Sequence, residues 1–275
     1  MEGDAKGRSR AVWGAAPAGS THAPGVETGS KEFFERVLEG RFGREMHFLR
    51  EVIPYRSFAD RRLLEIGCGA GYDAYEFARF GADYTGIDLV PENIHRTKVH
   101  LGLYGLKADV READAEDLPF PDSSFDVVFS NGVLHHTPDI AQAFSEVSRV
   151  LQPGGEFWVL LYNRDSVFYW LTLGLFDHVL RRGYRRRSFQ ERLAMIENPG
   201  VSDELPLVNV FSRRQVRRLL GDFTEVHISV RKLVPEDFPY LPKVGQRPFE
   251  RIPQRWLDRL GHMAGWYVIA SARKP

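Results

Sequence analysis

Glu65-Ile66-Gly67-Cys68-Gly69-Ala70-Gly71 combines a carboxylate with three alternating glycines. Glycine at that spacing lets the backbone turn tightly and approach a ligand with no Cβ in the way. The pattern Gly-x-Gly-x-Gly is one residue shorter than the dinucleotide fingerprint Gly-x-Gly-x-x-Gly, so nicotinamide binding fits it less well. Two more carboxylates follow at expected strand ends. Asp88, in Gly86-Ile87-Asp88, stands where a carboxylate accepts from two ribose hydroxyls. Asp114, in Glu112-Ala113-Asp114-Ala115, stands where one accepts from the exocyclic amine of a purine. Each acid alone is an ordinary loop acid; glycine turn, ribose acid and purine acid together describe an adenosine-containing ligand. His135 and His136 add groups that exchange protons near pH 7. His135, nearer the preceding strand, is the preferred base, while the same pair could instead orient the loop. With no third ligand at a suitable spacing, the two histidines predict no metal site. Cys68 is a small residue inside the glycine loop and needs no nucleophilic role.

The elements around these residues alternate. Residues 62–66 read as a short buried strand, 72–80 as a helix closed by Gly81, 84–87 as a strand and 91–101 as a helix with Pro91 in its first turn. A strand at 108–111, another at 125–129, a helix over 138–151 that Thr137 could cap, and a strand at 155–161 continue the series. Strands separated by helices pair in parallel through right-handed crossovers, which predicts a doubly wound sheet with its ligand at the strands' carboxyl ends. Later strands at 226–230 and 266–271 would complete seven strands with an antiparallel, hairpin-like pair. The stretch 235–256 leaves their connection undetermined.

Five regions follow. Residues 1–30, rich in Gly, Ala, Ser, Thr and Pro, predict a disordered leader and no secretory signal. Apolar residues recur at three- and four-residue spacings over 31–58, which predicts helices covering the site. Residues 59–163 form the ligand-binding core, 164–210 a helical insertion, and 211–275 the completion of the sheet. The run 167–180 is too apolar for an exposed helix and predicts a cover: a bound ligand, an interface, including one with a second copy, an extension of the core, or a bilayer surface on which the helix lies. Asp177 and His178 interrupt it, and it is shorter than the ~20 residues needed to cross a bilayer. The arginines at 181, 182, 185, 186 and 187 read first as a solvated face.

Composition sets outer bounds. The chain has 275 residues, 43% hydrophobic and 27% charged, enough for an ordinary buried core. Lys plus Arg and Asp plus Glu both count 37, so bulk attraction to nucleic acid or anionic membrane has no global support. A single cysteine forms no internal disulfide and favours a reducing, cytoplasmic setting.

On the stretches 63–71, 86–89, 114–126 and 150–155, with Asn131-Gly132-Val133-Leu134-His135-His136 between them, the chain resembles the class I S-adenosylmethionine-dependent methyltransferases of the ubiquinone and natural-product type. The likeness covers residues 31–163. It implies a Rossmann-like α/β fold, S-adenosyl-L-methionine as methyl donor and S-adenosyl-L-homocysteine as product. It assigns Glu65 and Gly67, Cys68, Gly69 and Gly71 to the methionine part, Asp88 with Leu89 to the ribose, Asp114 with Ala115 to the adenine, and Asn131 to the donor site. The expected reaction methylates an oxygen or nitrogen of a small apolar or aromatic metabolite, as in secondary metabolism. The alternatives are RNA or protein methylation and a non-catalytic, ligand-retaining scaffold.

Overall fold

Apolar runs separated by helices are forced into parallel pairing, because a crossover returns the chain to the same edge of the sheet each time. In the computed structural model, which describes residues 5–197, 204–239 and 252–275, the first five strands obey that rule. They are β1 (Arg62–Ile66), β2 (Asp83–Asp88), β3 (Asp109–Glu112), β4 (Phe125–Asn131) and β5 (Leu151–Tyr162), all parallel to one another. β7 (Tyr267–Arg273) lies between β5 and β6 (Thr224–Arg231), antiparallel to both. The order β3-β2-β1-β4-β5-β7-β6 completes the seven-stranded, mostly parallel sheet. The strand order reverses between β1 and β4, so their carboxyl ends open onto one crevice.

Side-chain alternation builds two cores. Leu63, Val127, Phe129 and Leu160 face one side, against α2 (Lys31–Gly40), α4 (Tyr72–Arg79) and α5 (Pro91–Leu103) through Phe33, Phe77 and Leu101. Leu64, Val128, Val159 and Leu161 face the other, against α6 (Ile140–Val150) and α8 (Arg213–Leu219) through Phe144, Val147 and Val216. The short helix α3 (Leu49–Val52) follows a π-helical turn, Arg41–Glu45, that extends α2. The amphipathic pattern at 31–58 thus resolves into elements that pack on the core and present Arg41 to the crevice.

Three expectations change. The leader is not without structure among its described residues: α1 (Ala5–Ala15) buries Ala5, Ser9 and Val12. Polar links hold it, with Lys6 paired to Asp114 at 2.6 Å and Arg96 donating to the carbonyls of Trp13 and Gly14 at 2.9 and 2.7 Å. A composition argument weighs apolar content and does not register such anchors. The helix expected from residue 138 starts at Ile140, capped by Asp139, which accepts from the Gln142 amide at 3.0 Å. Thr137 instead closes the preceding turn by donating to the Leu134 carbonyl at 2.8 Å. The insertion carries a wide π-type helix, Phe168–Leu180, then α7 (Phe189–Ala194). Its inner face buries Thr172 and Leu173, while Trp170 and Leu180 are 57% and 62% exposed, so that part of the apolar run is uncovered among the described residues. A further helix, α9 (Gln254–Ala264), precedes β7. Residues 198–203 of the insertion and 240–251 of the late connection lie outside the described residues. No helix of the described residues is long and apolar enough to cross a membrane.

Candidate functional site

At the end of β1 the glycine loop begins, and its first two amides, Gly67 and Cys68, donate to the Ile87 carbonyl on β2 at 2.8 and 3.0 Å. The glycines answer different demands. A Cβ on Gly67 would sit 2.2 Å from Val133, so this position lets the β1 and β4 loops touch. A Cβ on Gly69, at φ +56°, would meet nothing within 4 Å, and the bare backbone there faces the cavity. Gly71, at φ +79°, begins α4 and packs on Thr97; it lies off the cavity wall.

One cavity gathers Glu65, Gly67, Cys68, Gly69, Asp88, Leu89, Asp114, Ala115, Asn131 and His136. Asp88, buried at the end of β2, accepts from the amides of Gly69 and Val90, both at 2.9 Å, and from Asn93 Nδ2 at 3.3 Å. Burial pushes its carboxyl up, against those three bonds that pull it down. Glu65, beneath the loop, accepts from the Tyr84 hydroxyl at 2.6 Å. Burial and the neighbouring Asp73 charge hold its carboxyl well above the usual range. Asp114 is engaged already, by Lys6 and by the Glu116 amide at 3.0 Å.

A second set of wall residues lies outside the motifs legible in the sequence. Asp73, in the first turn of α4, accepts from Arg41 Nη2 at 2.9 Å, from Asn131 Nδ2 at 3.0 Å and from the Tyr55 hydroxyl. Burial disfavours charge on Arg41, and the carboxylates of Asp73 and Glu45 overcome it and keep the guanidinium ionised. Arg41 Nε and the Tyr72 hydroxyl are buried in this wall with no hydrogen-bond partner among the described residues. Lys6, Ser9 and Trp13 of α1 close the other side. Asp73, two residues past the last glycine, had a positional signal; Arg41 and the α1 residues had none, because only the fold carries them to the crevice.

The histidine corner also differs from expectation. The tight turn Leu134–His136 sends successive side chains in different directions, so His136 joins the wall and His135 does not. His135 is fully buried and packs on Tyr162, the two rings tilted with centroids 4.0 Å apart. His136 donates from Nδ1 to the Leu207 carbonyl at 2.6 Å and leaves Nε2 unpartnered among the described residues, with the Trp13 and His136 ring centroids 5.6 Å apart. Burial, and for His135 the adjacent His136, lowers both pKa values, so both rings are neutral near pH 7. Cys68 is buried, and burial beside Asp88 and Glu65 pushes its thiol up, consistent with an inert packing residue.

A family described as a methyltransferase domain matches residues 64–159. A ubiquinone biosynthesis O-methyltransferase of Sinorhizobium medicae is 32% identical over 166 residues, 59% of this chain and 67% of its own length. A Brucella anthropi protein of the same name is 37% identical over 134 residues, 49% of this chain and 54% of its own. A sterol 24-C-methyltransferase of Gibberella zeae is 31% identical over 150 residues, 54% of this chain and 36% of its own. The chain thus spans about a third to two thirds of the length of these relatives. Among solved structures, the YcgJ protein of Bacillus subtilis superposes with TM-score 0.55 at 19% identity, over 83% of this chain and 98% of that one. An S-adenosylmethionine-dependent methyltransferase from Mesorhizobium loti gives 0.52 at 20% identity, over 84% and 97%. At those identities the likeness is one of fold.

Proposed function

The chain belongs to the class I S-adenosylmethionine-dependent methyltransferases, and we propose that it methylates an oxygen, or secondarily a nitrogen, of a small apolar or aromatic metabolite. The cavity suits the donor. Its buried acids Glu65, Asp73 and Asp88 outnumber the buried cation Arg41 along the wall, which favours a ligand carrying positive charge. The unpartnered Arg41 Nε and Tyr72 hydroxyl are buried polar groups awaiting an anionic partner. S-Adenosyl-L-methionine offers both, and when bound it supplies an electrophilic methyl carbon on a positively charged sulfur. These orphaned donors in an otherwise acidic wall are the observation that carries the reading.

In this assignment Arg41 and Tyr72 take the α-carboxylate. Glu65 and the loop of Gly67, Cys68 and Gly69 take the amino end, with Gly71 holding the loop's exit. Asp88 accepts from the ribose, beside Leu89, and Asp114 with Ala115 faces the adenine once Lys6 shares its carboxylate. Asn131, fixed by Asp73, borders the donor group. His136 is the wall side chain with a free ring nitrogen, and as a neutral imidazole it suits removal of a proton from the acceptor. The remaining work is positioning, which brings the acceptor atom to about 3–3.5 Å in line with the methyl carbon. Trp13, Val133 and Pro138 supply apolar surface for the acceptor.

Relatives named for O-methylation favour oxygen, and the relative named a sterol 24-C-methyltransferase keeps a carbon acceptor as the alternative. We read the setting as cytoplasmic from the lone buried thiol. The test is incubation of the full chain with methyl-labelled donor and a panel of phenols, carboxylic acids and amines. Label transfer with S-adenosyl-L-homocysteine release is expected for at least one phenol or amine. Failure to bind S-adenosyl-L-homocysteine by calorimetry would refute the proposal.

A further inference from the structure

The fold supplies the third ligand whose absence from the local sequence argued against a metal at His135 and His136. One ring nitrogen from each histidine and one carboxylate oxygen of Glu197, from the insertion, lie within 4.8 Å of one another. Three ring nitrogens in this cluster, both of His135 and Nε2 of His136, are buried with no hydrogen-bond partner among the described residues. Leaving such groups dry is costly, and native interiors rarely do so. Other polar contacts orient the cluster from behind. The Nδ1–H of His136 is held by the Leu207 carbonyl, which fixes the tautomer that frees Nε2, and the Asn209 amide donates to the His135 carbonyl at 2.9 Å. A ligating histidine ordinarily has its second ring N–H tied down in this way. The Tyr162 hydroxyl donates to Glu197 and steadies the carboxylate.

We propose that His135, His136 and Glu197 form a buried binding site for a divalent transition-metal cation of the zinc class. Two imidazoles and one carboxylate are the donor set of a borderline cation, whereas magnesium and calcium require mainly oxygen ligands. Bonds of about 2.0–2.2 Å need the three donor atoms somewhat closer than they stand, a change that side-chain rotation supplies. Three protein ligands leave a fourth position open. The proton-accepting role given to His136 above belongs to the cation-free protein, so the site goes beyond that reading and is tested without activity.

The experiment uses the full chain, stripped with a chelator and dialysed. Co2+ alone is titrated with visible absorption as readout, and Zn2+ alone by calorimetry. One equivalent per chain is expected, with the intense ligand-field bands of a low-symmetry nitrogen and oxygen site. Glu197→Gln, which still accepts from Tyr162, is expected to weaken Zn2+ binding at least about tenfold. His47→Gln, which breaks an outlying His47 and Asp258 pair, serves as the control and is expected to leave binding unchanged. Absence of a stoichiometric equivalent, or an affinity that Glu197→Gln leaves intact, overturns the proposal. Should Glu197→Gln fail to fold, the Co2+ spectrum of the unmodified chain decides, and a spectrum of octahedral aquo type counts against the site. S-Adenosyl-L-homocysteine calorimetry on the stripped chain reports separately on the methyltransferase reading.

Discussion

Replacing Asp88 tests the ribose assignment most directly, because its hydrogen-bond inventory can be counted. An ionised carboxylate offers about four acceptor positions. Oδ1 takes the Val90 amide and Asn93, and Oδ2 takes the Gly69 amide, which leaves one well-placed lone pair on Oδ2. A ribose hydroxyl there forms a charge-assisted bond worth about 1.5–3 kcal/mol, or roughly a 10- to 150-fold change in Kd. Asp88→Ala also leaves the buried Gly69 and Val90 amides without acceptors, so loosening of the glycine loop adds to that loss. Asp88→Asn keeps the shape but turns an amide N–H toward one of those two donors, and its effect is expected to approach that of Ala. The assay is calorimetric titration with S-adenosyl-L-homocysteine near pH 7, with thermal unfolding monitored alongside. A folded Asp88→Ala protein whose Kd stays within about twofold of the original would refute both the bond count and the site built on it.

Arg41→Gln removes the cation that shares Asp73, and stranding that buried carboxylate is expected to cost about 3–5 kcal/mol of stability in chemical denaturation. Arg41→Lys, which keeps the charge, is expected to recover much of the stability but little of the affinity for S-adenosyl-L-homocysteine. Burial lowers the His100 pKa to about 4, despite its hydrogen bond to Ala70, so the folded state refuses a proton that the unfolded chain accepts below about 6.5. Stability from the neutral ring is therefore complete above that pH and lost as pH falls toward 4. His100→Phe is expected to remove about 1.4 kcal/mol per pH unit of slope across that window, and an unchanged slope refutes the assignment. Trp13→Ala opens the wall beside His136, and a rise in KM for the acceptor of about tenfold is expected, with kcat less affected. A KM that does not move would remove α1 from the acceptor site.

Local rules made the frame legible. β1 was readable because Leu63, Leu64 and Ile66 make a short, mostly apolar run between a charged residue and glycines. The acids at strand ends were readable because parallel strands all deliver their carboxyl ends to one side of the sheet. What stayed hidden depends on long-range geometry. No local pattern marks Arg41, which arrives through a π-helical turn, and none marks α1, whose Gly- and Ala-rich sequence folds onto the core through ions and carbonyls. Nor does the order of two adjacent histidines tell which one faces a cavity, since a single tight turn decides it.

Charge balance connects these hidden residues to the visible motif. The glycine loop and strand-end acids alone would make a strongly anionic pocket, and burial beside the Asp73 charge holds the Glu65 carboxyl well above its usual range. Arg41 changes this only in part: it neutralises Asp73 and keeps one donor in hand, which divides the methionine end into an anion-binding half and a cation-binding half. A zwitterionic amino acid attached to a positive sulfur matches that division, whereas a neutral nucleoside would leave both halves unsatisfied. The same reasoning ranks the ligands. Donor and product both present an ammonium that pulls the Glu65 carboxyl down from the raised position burial gives it, and the donor's positive sulfur adds to that pull. Donor binding is therefore expected to release protons relative to product binding, and calorimetry in buffers of different ionisation enthalpy measures the difference. Equal proton uptake for the two ligands would place Glu65 outside the field of the sulfur.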